Sequence, residues 1–115
     1  MAKYEPDLSL IFQALSDPTR RAMLARLGQG PVAVTELAQP TGWALPTVMR
    51  HIAVLEEAAL IETEKTGRTR MCRLRPATMV ATADWLAAQR AVWEARTDRL
   101  EAYVTHLMKD SPNDH

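Results

Sequence analysis

The segment ATMVATADWLAAQRAVWEARTDRLEAYVTHLMKD, residues 77–110, contains no proline and no glycine. Nothing in it breaks a helix, and its apolar residues recur three and four apart. Met79, Ala83, Leu86, Arg90, Trp93, Thr97, Leu100, Val104 and Leu107 step along one side as a heptad-like seam, interrupted at Arg90 and Thr97. At about 1.5 Å per residue such a helix is more than roughly 40 Å long, beyond what a small domain covers. The chain has 115 residues, which suits a single domain over residues 1–115. Much of the apolar side of this helix therefore needs another partner, most simply a second copy of the chain.

Upstream of it the elements are short. In PDLSLIFQALSDPTRRAMLARLGQG, Leu8, Ile11, Phe12 and Leu15 recur at helical spacing. Asp17 followed by Pro18 ends that helix and starts another, an acceptor at the N-cap and proline at the first helical position. Ala22, Met23 and Leu27 give the second helix its apolar side, and Gly28 and Gly30 stop it. PVAVTELAQPTGW holds a short helix around residues 35–39, closed by Pro40 and Gly42. A further helix is expected over residues 45–58. Two short helices about a glycine turn form a helix-turn-helix. LIETEKTGRTRMCRLRP then changes to a period near two, with a turn at Gly67 and Arg68. That register sets Ile61 opposite Leu74, Glu62 beside Arg73, Glu64 beside Met71 and Thr66 opposite Thr69. The expected order is α-α-α-α-β-β-α, mainly α with one small β-hairpin.

The helix over residues 45–58 has two distinct faces. Stepping 100° per residue puts Leu45, Val48, Ile52, Leu55 and Ala59 in one narrow arc, the expected buried stripe. Pro46, Thr47, Arg50, Ala53, Val54 and Glu57 face away, with Met49 and His51 on the flanks. The acids Glu56 and Glu57 lie only at the C-terminal end. A helix entering a major groove by its N-terminus has this distribution. Thr47 then reaches a phosphate or base edge, Arg50 a guanine or phosphate, and Met49 a thymine methyl.

Net charge is zero, so the distribution carries the information. Residues 45–75 hold six Arg and Lys against four Glu, whereas residues 1–44 balance and residues 76–115 carry four basic against six acidic groups. Lys65, Arg68, Arg70, Arg73 and Arg75 follow one another with no acid between them. A basic hairpin suits a nucleic-acid partner; from charge alone a solvated hairpin explains it equally well.

Taken together, LSDPTRRAMLARL, VTELAQPTGWALPTVMRHIAVLEEAALI, the hairpin EKTGRTRMCRL and the long last helix resemble the arsenic-repressor (ArsR/SmtB) family of winged-helix regulators. The resemblance covers nearly the whole chain. It implies a winged helix-turn-helix, a homodimer built on the first and last helices, and binding to a partly palindromic operator in double-stranded DNA, usually as a repressor. Carried over residue by residue, it implies DNA contacts from Thr47, Met49, Arg50 and His51, with the wing tip at Gly67 and Arg68. The basic neighbours Lys65 and Arg70 extend that surface. Leu8, Ile11, Phe12, Leu86, Trp93, Leu100 and Val104 are the expected dimer contacts. Ala44 and Met49 stand where the family often has serine; the missing hydroxyl at Ala44 removes an N-cap worth about 1 kcal/mol, and Met49 should change the preferred base. Ala59 replaces a usual glycine, suggesting a less sharp turn into the hairpin.

Some members of that family sense metals. Here VTELAQP has no cysteine, and Asp98 and His106 stand eight residues apart with His115, in the tail, the only further histidine nearby. Zinc wants four convergent ligands, so no metal site and no cofactor are expected, and the last helix resembles a metal-independent branch. Nothing in the residues identifies an effector. Cys72, the single cysteine, excludes an internal disulfide and suits a core position. No phosphate loop and no nucleophile–base set suggests an enzyme. No signal peptide is evident, and no stretch approaches the about 20 apolar residues of a membrane span. A cytoplasmic location is expected. A winged-helix module that binds protein through its long helix is the alternative.

Overall fold

The computed structural model describes residues 6–109. Its elements are α1 (Leu8–Leu15), α2 (Pro18–Leu27), β1 (Val32–Ala33), α3 (Val34–Ala38), a 3-10 turn (Gln39–Thr41), α4 (Leu45–Glu57), β2 (Ile61–Thr66), β3 (Thr69–Leu74) and α5 (Pro76–Lys109). The order is that of a winged helix-turn-helix. By compactness the chain divides into two units, one ending at Thr82 and the other beginning at Ala83, where the sequence suggests one domain over residues 1–115.

The junction of α1 and α2 shows why LSDPTRR folds as it does. Asp7 and Asp17 cap the two helices, each carboxylate accepting from the backbone N–H three residues on, at 3.1 and 3.0 Å. Pro18 occupies the first helical position of α2. Arg20 and Arg21 then reach back to the last carbonyls of α1. Arg20 Nε donates to Ala14 O at 2.7 Å and Nη2 to Gln13 O at 3.0 Å, while Arg21 Nη1 donates to Leu15 O at 2.7 Å. Carbonyls that a helix end leaves without partners are satisfied by cations, which also suit the negative end of the helix dipole.

The hairpin has the expected register throughout, from Ile61 opposite Leu74 to Thr66 opposite Thr69. Gly67 has φ 63° at the first of the two central positions, where a II′ hairpin turn places glycine. The sheet, however, has three strands rather than two. β1 pairs with β3, setting Val32 opposite Cys72 and Ala33 opposite Met71, in the order β1-β3-β2. Two residues are too few to show a strand period, and their partner lies far away in sequence.

The core of the first unit is shared by its helices and strands: Ile11 and Ala14 of α1, Met23 and Leu27 of α2, Val32 of β1, Leu37 of α3, Val48, Ile52 and Leu55 of α4, and Ile61 and Cys72 of the hairpin. Arg75 N–H donates to Leu60 O at 3.0 Å, which closes the sheet ahead of α5. Thr78 and Thr82 are buried, and Thr82 Oγ1 donates to Thr78 O at 2.8 Å. Every residue from 83 to 109 is exposed.

Candidate nucleic-acid interface

The turn between α3 and α4 uses Gly42 at φ 66°, and Thr41 braces it, its hydroxyl accepting from Trp43 N at 3.1 Å. α4 then starts at Leu45 without a capping side chain, because Ala44 has none to offer. The other end of α4 departs from the sequence reading. Ala59 sits at φ 60°, and Leu60 N–H donates to Leu55 O at 3.0 Å while Ala59 N–H donates to Glu56 O at 2.9 Å. This is a Schellman close, as sharp as a glycine would make it. The hydrogen bonds and the burial of Leu60 hold an alanine in a conformation that its Cβ disfavours.

The buried stripe of α4 consists of Val48, Ile52 and Leu55. Leu45 does not join it and is 48% exposed. It lies at the edge of the arc, one turn ahead of Val48, where no neighbouring element covers it. Pro46, Arg50 and Ala53 are exposed and Thr47 is half-buried. The side chains of Arg50, Lys65 and Arg68 have no hydrogen-bond or ion-pair partner among the described residues. Leu45 and Met49 line a groove with Ala33, Val34 and Thr35, whose opposite wall carries Lys65, Arg68 and Arg70. Helix and wing thus border one groove, with Leu45 and Met49 from α4 and Lys65, Arg68 and Arg70 from the wing.

Two of the expected contacts have other duties. The His51 side chain is 17% exposed and lies 4.0 Å from the Asp17 carboxylate. Its Nδ1 is 3.1 Å from Arg20 Nη1. A guanidinium has only donors, so Nδ1 is the acceptor in this contact. Trp43 stacks on the same ring with centroids 5.2 Å apart. His51 therefore joins α4 to the α1–α2 junction and to the preceding turn, and Trp43 pins that turn. Arg70 is exposed but donates to Thr63 Oγ1 at 2.9 Å, and Thr63 Oγ1 donates to Glu56 Oε2 at 2.9 Å. This relay fastens the wing to the C-terminal end of α4.

Of the expected dimer contacts, Ile11 is fully enclosed by its own chain and supports α1 rather than offering surface to a second copy. Leu8 is half-buried and Phe12 exposed, as are Leu86, Trp93, Leu100 and Val104 on α5. Cys72 is buried between Val32 and Thr63, and burial raises its thiol pKa to about 11, with Glu56 adding to the shift and Arg70 opposing it. Such a thiol is a poor nucleophile at neutral pH. Among the described residues no three His, Cys, Asp or Glu side chains group to hold a metal ion, and no helix is long and apolar enough to cross a membrane. His115 lies outside the described residues.

A helix-turn-helix domain model matches residues 15–64, the span from the end of α1 through α4 into β2. A crystal structure of an ArsR family transcriptional regulator is 50% identical to this chain, with a TM-score of 0.73 over 82% of this chain and 97% of that one. This chain belongs to the ArsR family. Its relatives include the HTH-type transcriptional regulator Rv2034 of Mycobacterium tuberculosis, 41% identical over 61% of this chain and 65% of that protein. The biofilm growth-associated repressor of Xylella fastidiosa is 30% identical over 67% of this chain and 68% of that protein. The chain thus spans just under two thirds of the length of Rv2034. The ArsR assignment accounts for the order of elements and for the match centred on α2–α4. Sequence reasoning missed Leu45 at the surface, because angular position on a helix does not say where the neighbouring elements end.

Proposed function

We propose that this chain is a homodimeric repressor of transcription, one that sets α4 into the major groove of double-stranded DNA and rests the wing, residues 61–75, on the flanking duplex. The observation that carries the reading is the surface of α4 and the wing around their shared groove. It is free of acids through the first two turns of the helix, and Arg50, Lys65 and Arg68 stand exposed on it. Thr47, Met49 and Arg50 are the proposed groove contacts, and Lys65, Gly67 and Arg68 the wing contacts. Arg70 contributes charge from its place in the relay, and His51 acts by holding α4 in position. The naming of relatives as repressors supports the sign of regulation. The exposed seam of α5, with Leu86, Trp93, Leu100 and Val104, supports a second copy of the chain as partner. The partners are thus an operator and a second copy. We read the chain as a regulator without catalysis, in the metal-independent branch that its last helix, with Trp85 and Trp93, resembles.

The test is fluorescence anisotropy with DNA from upstream of the protein's own gene and with a scrambled duplex, at two salt concentrations. Binding selective for the upstream DNA and falling steeply with salt is expected. Arg50→Ala should weaken binding to the cognate site by about 1–3 kcal/mol. Arg68→Ala should weaken cognate and scrambled DNA alike. Unchanged cognate affinity in the Arg50 variant overturns the assignment of α4 as the recognition helix. Dimerisation without salt-sensitive DNA binding favours the protein-binding module instead.

A further inference from the structure

The start of α4 has little polar chemistry to offer a base. Ala44 brings no hydroxyl and Pro46 no N–H. Among residues 44–50 only Thr47 and Arg50 carry polar side chains, and just beyond them His51 is engaged by Arg20 and Trp43. Apolar groups take the remaining surface. Leu45 is 48% exposed, with Ala44 and Pro46 exposed beside it and Ala53 exposed about two turns further along α4. Met49, half-buried, lies one turn beyond Leu45 on the same flank, and both line the groove that Lys65, Arg68 and Arg70 wall. The major groove presents donors, acceptors and a single apolar group on its base edges, the thymine C5-methyl. We infer that Leu45 and Met49 are specificity-determining residues that read thymine methyls, so that each operator half-site places thymine against the wing-side flank of α4. The inference rests on the DNA-binding reading and names the base chemistry that this surface selects. Arg50 supplies the polar anchor, and the cations of the wing hold the adjacent phosphates.

An operator is first enriched from a random duplex library on the full chain. Each thymine in it is then replaced in turn by deoxyuridine, which removes the C5-methyl and leaves base pairing intact. Dissociation constants are measured for the wild type, Leu45→Ala and Met49→Ala. At least one replacement per half-site should weaken wild-type binding about three- to fivefold, the worth of one buried methyl. That penalty should fall toward unity in whichever variant lacks the contacting side chain. An enriched operator whose every uridine version binds the wild type as tightly as thymine DNA overturns the inference and leaves the DNA-binding reading intact. So does a penalty of equal size in the wild type and both variants. Failure to enrich any sequence overturns the DNA-binding reading together with the inference. The uridine series on the wild-type protein needs no variant, so it stands even where a substitution disturbs folding.

Discussion

Ala59 is the residue at which local preference and tertiary structure disagree most. An L-residue at φ 60° pays for its Cβ, and the hydrogen bonds around Leu60, together with the burial of Leu60, hold it there. Ala59→Gly removes that strain while loosening the unfolded chain, so it should raise stability by about 0.5–1 kcal/mol. Urea unfolding checks it: the midpoint should rise at constant slope. Asp17 carries a different kind of information. Its pKa lies below the ordinary 3.8, first because the Arg20 backbone N–H bonds to the carboxylate; desolvation opposes the shift, and the Arg20 guanidinium adds to it. A lowered folded-state pKa means stability that is present above the ordinary value and lost as pH falls through the folded one. The stability gap between wild type and Asp17→Ala should therefore be full at neutral pH and close progressively below pH 3.8. Parallel urea titrations across that range measure it, and a gap independent of pH would remove the carboxylate cap from the account.

At the scale of elements, α4 is a helix fixed by its middle and its far end. Val48, Ile52 and Leu55 bury one face, each contributing about 1.5–3 kcal/mol of apolar transfer, and the Schellman close secures the C-terminus. The N-terminus lacks a side-chain cap. Ala44→Ser restores the acceptor and should stabilise the protein by about 1 kcal/mol in thermal or urea unfolding. No gain would mean that the turn after Gly42 already satisfies those N–H groups. The wing is fixed from both sides, by β1 on one edge of β3 and by the Arg70–Thr63–Glu56 relay reaching α4. That attachment gives a short hairpin, marginal by itself in water, a defined place beside the recognition helix.

At the scale of the molecule, the second unit is a helix without a covering layer. Trp93 is 66% and Leu100 64% exposed on the α5 seam. Single chains seldom leave such a run of large apolar side chains in water, and a closed two-fold pairing covers the same patch on both copies at once. Leu100→Asp should convert a dimer to a monomer in sedimentation velocity. It should also abolish the rise of the wild-type melting temperature with protein concentration. A wild type that sediments as a monomer at micromolar concentration would refute the pairing.

Helix periodicity, the Asp17–Pro18 restart, the hairpin register and the chain of residues resembling the ArsR family were all legible in the sequence. Each rests on interactions between residues close along the chain: caps, turns and side chains three, four or two apart. β1 was not legible, since its two residues gain their ladder only from β3. Nor were the left-handed Ala59, the enclosure of Ile11 or the duties of His51 and Arg70, because each depends on which distant group arrives beside it. Leu45 makes the point for the candidate interface. Its sequence position selects the side of the helix, but exposure is decided by where α2, α3 and the wing stop. Local interactions along the chain set the helices, the hairpin, their order and the charge of the wing. Which apolar side chains the core leaves uncovered, Leu45 among them, follows from where distant elements pack.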